Sequence, residues 1–298
     1  MLKKIRAWEG FPLKKAVQSF DPRQEMRRED YEIQHKRDRY LKNVELHHHD
    51  FYEIFCLVSG DVTYAIEGRL YHVTPGDLLL ISPRELHQVF VSADMEPYER
   101  YVLWVDAAMI RRLSTDDADL GRCLESSGPG YSNTLHPAPE RRERIQTLME
   151  LIFQETESTE FGAEMLRDSL IRQLLVELNR LSSNSQAVEQ LAGSPVVEEV
   201  VRYVNRHYGE TLTLENLAGQ FHVSKYHLCH AFQKQMGSGL HRFILKKRLQ
   251  IARNLLSAGH KPKDVYEACG FGDYTAFYRA FRSEYGISPR AYAASLRP

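Results

Sequence analysis

The chain has 298 residues, 43% hydrophobic and 27% charged, with a formal net charge of -1; this is ordinary globular composition, long enough for two domains. No stretch reaches 18 apolar residues and no long apolar run follows the charged start Met1-Leu-Lys-Lys, so the expectation is a cytoplasmic protein without membrane span or leader. Cys56, Cys123, Cys229 and Cys269 show no C-x-x-C spacing, which argues against disulfides and zinc fingers.

Residues 1 to about 40 are polar and charged, with Phe11, Phe20 and Tyr31 as isolated anchors, and are expected to form an arm on the next domain. Between 44 and 105 the pattern changes to short runs rich in β-branched and aromatic residues, at 52–58, 62–66, 70–73, 77–81, 88–91 and 101–105. Breaks at Gly60-Asp61, Glu67-Gly68, Pro75-Gly76 and Pro83 give regular strand-and-turn spacing, which predicts a small antiparallel barrel or sandwich. Two amphipathic helices follow, the first carrying Ile145, Leu148, Met149 and Ile152, the second Leu166, Leu170, Ile171, Leu174, Leu175, Leu178 and Leu181. The second stripe is wide enough to pack on the barrel or on a second subunit.

The densest chemistry in this half is His47-His48-His49-Asp-Phe-Tyr-Glu53, followed by Gly60, Pro75-Gly76-Asp77 and Pro83-Arg-Glu-Leu-His87. The spacing His47-x-His49-x3-Glu53-x6-Gly60 resembles the first cupin motif, with His87 where the second motif places its histidine. On a strand His47 and His49 share a face, and a turn brings Glu53 and His87 around the same point. Three nitrogens and a carboxylate suit iron, zinc, nickel or manganese; the alternative is a hydrogen-bonded polar cluster at the barrel mouth. His47, His49, Glu53 and His87, with Tyr64 and Trp104, are the candidate lining of an effector cavity, although Tyr64 and Trp104 read more readily as core packing.

The charge splits at Ser194. Residues 1–194 carry 24 Lys/Arg and 32 Asp/Glu, residues 195–298 carry 15 and 8. A phosphate backbone favours such a basic half, because its condensed counterions are released on binding, although a solvated basic face is the alternative. That half holds two copies of a helix-turn-helix pattern, starting near Leu214 and Val265, about 50 residues apart. Thr213, Ser224 and Asp273 stand where N-caps are needed, and Gly270-Phe271 makes the second turn. Burying Leu228, Ala231 and Phe232 leaves Lys225, Tyr226, Cys229, His230 and Gln233 outward; burying Phe277, Ala280 and Phe281 leaves Tyr274, Thr275, Tyr278, Arg279 and Arg282 outward. Between the heads, a helix of about 18 residues would span on the order of 27 Å, a rigid spacer for successive DNA turns roughly 34 Å apart. Its Arg242, Lys246, Lys247, Arg248 and Arg253 are expected to meet phosphates or solvent.

Ala218, Ser224 to Phe232, the Arg248-Leu-x-x-Ala252-x-x-Leu255-Leu256 run, Ala268-x-Gly270-Phe271 and Phe281-x4-Gly286-Ile-Ser-Pro289 together resemble the AraC/XylS family of bacterial transcription regulators. Tyr266 departs from the small residue usual in that family. The resemblance implies base-reading positions at Tyr226, Cys229 and His230 in the first head, with Ser224 and Lys225 beside them, and at Thr275, Tyr278 and Arg279 in the second, with Tyr274 and Arg282. It also implies a sugar as effector and activation through RNA polymerase; a homodimer is expected from the wide stripe of the second amphipathic helix, because a dimer doubles the DNA contacts. The expected fold is α+β and multidomain: a cupin-like sensor over 1–185 (barrel about 40–135, helices about 138–183), a linker at 186–195, and an all-α DNA-binding domain over 196–298. The expected protein is not an enzyme, requires no cofactor, leaves a divalent metal possible in the cupin site, and binds double-stranded promoter DNA. The competing readings are a metal-dependent cupin enzyme with an accessory helical domain and a ligand-independent DNA-binding dimer.

Overall fold

The computed structural model describes residues 24–38, 44–91, 97–125, 131–184 and 191–296; Phe11, Phe20 and residues 186–190 of the expected linker lie outside them. Eight strands open the fold: β1 (Tyr31–Asp38), β2 (Val44–His47), β3 (Tyr52–Ser59), β4 (Val62–Ile66), β5 (Arg69–Val73), β6 (Leu78–Ile81), β7 (His87–Val91) and β8 (Tyr98–Val105). After helix α1 (Ala107–Leu113) come the short strand β9 (Thr134–Leu135) and helices α2 (Pro139–Glu155) and α3 (Ala163–Asn184). The strands form two antiparallel sheets, ordered β1-β8-β3-β6-β9 and β2-β7-β4-β5.

Strand β1 falls in the stretch read from sequence as an arm. It pairs with β8 along its whole length, from Tyr31 opposite Val105 to Asp38 opposite Tyr98. Only Tyr31 and Ile33 supply buried apolar side chains, and the charged half Lys36-Arg37-Asp38 hides the alternation that marks a strand.

The sheets face each other across Phe55, Leu57, Tyr64, Tyr71, Val89 and Trp104. On the other side of the five-stranded sheet, Ile54, Cys56, Leu78, Leu80 and Leu103 pack against Ile145, Met149 and Ile152 of α2 and Ile171, Leu174, Leu175 and Leu178 of α3. Strand β3 is therefore buried on both faces, which is why it reads as a continuous apolar run rather than an alternating one. Most of the α3 stripe is consumed in this intramolecular packing, while Leu166 stays exposed beside Met165 and Phe161.

Seven helices complete the chain: α4 (Pro195–His207), α5 (Leu214–Gln220), α6 (Lys225–Met236), α7 (Leu240–Ser257), α8 (Pro262–Ala268), α9 (Tyr274–Tyr285) and α10 (Pro289–Ser295). The first head and the second sheet share one core, in which Leu46, Ala65 and Leu86 of the barrel meet Val197, Val200, Val201, Val204, Phe232 and Phe243. A second cluster, with Leu249, Leu256, Val265, Phe277 and Phe281, holds the second head. Among the described residues no helix is long and apolar enough to cross a membrane.

Leu178 is fully buried between α3 and the sheet. Leu178→Ala is expected to lower the unfolding free energy by about 2–5 kcal/mol, the range for a leucine cavity in a core, read from the denaturant midpoint of the full chain.

Candidate functional site

Both reading heads are built by local capping. The Thr213 hydroxyl accepts from Asn216 N at 3.1 Å and the Ser224 hydroxyl from His227 N at 3.1 Å, while Leu217, Ala218, Leu228 and Phe232 are buried beneath them. In the second head the Asp273 carboxylate accepts from Ala276 N at 2.8 Å, and Phe277 and Phe281 are fully buried. Gly270 turns the chain at φ +75°, where a Cβ would meet the carbonyl oxygens of Tyr208 at 2.8 Å and Gly209 at 2.9 Å. No other residue fits that turn without displacing backbone.

Lys225, Tyr226, Cys229 and His230 are exposed on α6, and Tyr274, Thr275, Arg279 and Arg282 on α9, with Tyr278 half-buried. Tyr226 is 80% exposed and stacks on His230 along the helix. Ser224 is also exposed, but its hydroxyl is committed to the cap, and Lys225 Nζ bonds Glu215 at 2.8 Å. Tyr266 stands edge-on to Tyr274, with ring centroids 5.8 Å apart, so the bulky residue packs beside the start of the second reading helix. Helix α7 runs unbroken for 18 residues between the heads.

The basic side chains of α7 do not lie where the sequence placed them. Lys246 and Lys247 are buried; Lys246 pairs with Glu284, and Lys247 Nζ reaches Glu67 Oε1 at 2.8 Å and Arg84 O at 3.3 Å. Arg248 donates to the carbonyls of Tyr208 and Glu210 at 2.9 and 2.7 Å. Arg242 pairs with Glu45 at 2.6 Å, and Arg253 with Asp50. The apolar stripe of α7 is legible in the sequence, but what covers its basic face is not local to the helix. Acidic residues of the barrel cover Arg242, Lys247 and Arg253, while Lys246 and Arg248 are held within the DNA-binding half.

Between the end of β2, β3 and β7, ligand-type atoms of His49, Glu53 and His87 lie within 4.8 Å of one another, all buried. His47, the fourth residue expected there, is outside that convergent set, although its ring stands 4.1 Å from that of His87. The rings are fixed from behind: Nδ1 of His47, His49 and His87 bond the carbonyls of Glu45, Phe51 and Glu85 at 2.8, 2.8 and 2.9 Å. Carbonyls only accept, so each Nδ1 carries the proton and each Nε2 keeps its lone pair. Among the described residues the buried Nε2 atoms of His49 and His87 have no hydrogen-bond partner in good geometry; Glu53 Oε2 stands 3.4 Å from His49 Nε2. Trp104 Nε1 donates to Glu53 Oε2 at 2.9 Å, which makes Trp104 a support of the cluster. Tyr64 lies deeper in the core, edge-on to Phe55. Phe51, which the sequence did not single out, stacks on His49 at 4.2 Å and meets Trp104 at 4.5 Å.

Burial alone would raise the Glu53 carboxyl, but His49 beside it and the surrounding imidazoles hold it at about 2. Burial, reinforced by His49, pushes His87 down to about 4, and burial with His87 and His49 beside it holds His47 well below its ordinary value. At neutral pH the cluster thus presents neutral imidazoles from His47 and His87 and one carboxylate, the protonation state that metal coordination requires.

The AraC-like ligand binding domain profile matches residues 33–175 and a helix-turn-helix domain profile matches residues 217–295. The chain belongs to the AraC/XylS family of transcription regulators. Within it, the HTH-type transcriptional activator RhaS of Salmonella schwarzengrund (strain CVM19633) is 27% identical over 250 residues, covering 82% of this chain and 85% of that protein. The uncharacterized HTH-type transcriptional regulator YbfI of Bacillus subtilis (strain 168) is 28% identical over 228 residues, covering 76% and 78%. A solved structure of apo ToxT from Vibrio cholerae aligns over 91% of this chain and 99% of that one, at 12% identity and a TM-score of 0.39.

In this AraC/XylS chain the histidines give stability a definite pH dependence. His87 titrates near 6.5 when unfolded and near 4 when folded, so between those values the unfolded chain binds the extra proton and stability falls as pH is lowered. His87→Gln should flatten that part of the curve, measured as denaturant midpoint against pH in metal-free buffer.

Proposed function

We propose that this AraC/XylS regulator is a one-component transcription activator. Its two heads enter successive major grooves of promoter DNA, and a small hydroxylated molecule, a sugar, is sensed at the barrel mouth. The observation that carries the reading is the pair of capped heads with exposed reading faces, joined by an unbroken α7. Arg279 serves as a bidentate guanine reader and Thr275 as a contact to a thymine methyl or base edge. Tyr226, Cys229 and His230 serve the first head, and Tyr274, Tyr278 and Arg282 flank the second. The activator label on RhaS supports recruitment of RNA polymerase. Exposed Leu151, Phe161, Met165 and Leu166 on and between α2 and α3 support a homodimer seam. Such a protein acts where promoters are, in the cytoplasm.

His49, Glu53 and His87 fit a divalent metal: two buried Nε2 atoms without good partners and one carboxylate converge on one point, with the Phe51 and Glu85 carbonyls orienting the rings from behind. In that arrangement the metal would supply the sensor with a Lewis-acidic point for a hydroxyl or carboxylate of the effector. Phe51 and Trp104 offer apolar faces to sugar C–H groups.

In a mobility-shift titration the protein should prefer its own promoter region to random duplex, with affinity falling as salt rises. Arg279→Ala should cost about 1–3 kcal/mol on the specific site and relax one base position; equal loss on random duplex would contradict its role. Metal analysis after purification in trace-metal buffer should give a stoichiometric divalent ion that His49→Ala abolishes. An unchanged metal content in His49→Ala would remove the cluster as its site.

A further inference from the structure

The strand that carries the histidines also carries the contact with the second head. Val44 and His47 of β2 face Val89 and His87 of β7, three residues advanced on one strand against two on the other, the signature of a bulge. The extra residue resets the phase. Val44 packs in the barrel interior; Glu45 and Leu46 both turn out, to Arg242 and to the shared interdomain core. His47 turns back beside His87. Beyond it, His48 points out and His49 in.

His48 is only 7% exposed, because it is wedged against the DNA-binding half. Its Nε2 lies 3.3 Å from the hydroxyl of Tyr285. Tyr285 is the last residue of α9, the helix whose opposite end carries Tyr274, Thr275 and Tyr278. The Arg253 guanidinium sits 5.1 Å over the Tyr285 ring and pairs with Asp50, the residue after His49. Four consecutive residues therefore alternate between the cluster (His47, His49) and the second head (His48, Asp50). The β7 side repeats the arrangement: His87 faces the cluster, while its neighbour Leu86 lies in the interdomain core and donates its N–H to Glu67 Oε1 at 2.7 Å, the same oxygen that holds Lys247 of the spacer helix.

We propose that His48 and Tyr285 are positioning residues through which occupancy of the barrel-mouth cluster sets the placement of the second reading head. This inference rests on the reading of that cluster as the sensing site. Covalent backbone geometry ties His48 to the two histidines beside it, and burial denies it a solvent rotamer. A ligand that draws His49 toward Glu53 and His87 therefore displaces the Tyr285 contact. First-head anchoring at Leu46, Ala65 and Leu86 makes that displacement relative, one head against the other. Coupling follows only because the ligand's affinity differs between the two placements.

The test uses the full chain, its promoter duplex and Co2+, whose visible absorption reports nitrogen and oxygen ligands. In the wild-type protein Co2+ should change promoter affinity by about fivefold or more, and the duplex should change Co2+ affinity by the same factor, as linkage demands. His48→Ala and Tyr285→Phe should keep the Co2+ spectrum and metal-free promoter binding, yet reduce that factor below about twofold, the ordinary scatter of independent sites. His48→Gln, whose amide can meet the Tyr285 hydroxyl, should restore it. Wild-type coupling in His48→Ala, or wild-type protein that binds Co2+ with no change in promoter affinity, overturns the relay. If wild-type protein binds no Co2+, the metal reading fails by itself. The relay is then decided by a double-mutant cycle of His49→Ala and Tyr285→Phe on promoter affinity: more than about threefold non-additivity supports it and additivity overturns it.

Discussion

The organisation of this chain depends on the outer face of one small sheet being buried by the DNA-binding half. Leu46, Ala65 and Leu86 place apolar surface against Val197, Val200, Val201 and Phe243, a non-directional attraction roughly proportional to the area removed from water. Around that seam the polar contacts fix orientation: Glu67 accepts from Leu86 N, Lys247 and Asn205, and Gln235 Nε2 donates to Gly68 O at 2.5 Å. Buried donors and acceptors are costly to leave unmade, so the seam has few registers in which every one of them is satisfied. A sensor and a reader joined by a free tether would need no such set. The defined seam gives a change on one side of the sheet something to act on.

The regular parts of the fold were legible because their signals are local. Strand runs such as 62–66 and the turns at Gly60 and Gly68 are set by short-range pattern, and the caps Thr213, Ser224 and Asp273 were visible in the sequence because capping needs a particular side chain at one position. Strand β1 was missed because only Tyr31 and Ile33 of its eight residues bury apolar side chains; its strand character comes from pairing with β8, a partner some 65 residues away that no local window contains. In the candidate site, His49, Glu53 and His87 converge as the motif spacing suggests. The position of His47 and the outward turn of His48 were not readable, because both follow from a bulge whose extra residue is defined only against β7.

The basic face of α7 shows a different limit. Amphipathic pattern separates apolar from polar positions but does not say what covers the polar ones. Lys247 is polar by that pattern and buried in the structure, with its ammonium held by a barrel carboxylate. Burying such a pair carries a desolvation cost that the attraction between the charges repays only with good geometry and further hydrogen bonds. The further hydrogen bonds here are those of the Asn205 amide and the Leu86 N–H to Glu67 and of Lys247 to the Arg84 carbonyl.

The charge asymmetry of the two halves therefore has two physical sources. Part of the positive charge on the reader is complementary to the barrel: Arg242, Lys247 and Arg253 meet Glu45, Glu67 and Asp50. What is left exposed, at Arg279 and Arg282 of α9 and at Arg202, Arg206, Lys234, Lys261, Lys263 and Arg290, is the charge free to displace counterions from a duplex. Exposed pairs such as Arg242 and Glu45 are screened by salt, whereas buried Lys247 and half-buried Glu67 are screened less. Raising ionic strength thus weakens phosphate contacts and the rim of the interdomain seam together while leaving its centre closed. Binding to DNA and docking of the sensor draw on one pool of cations, and burial decides which members of that pool respond to salt.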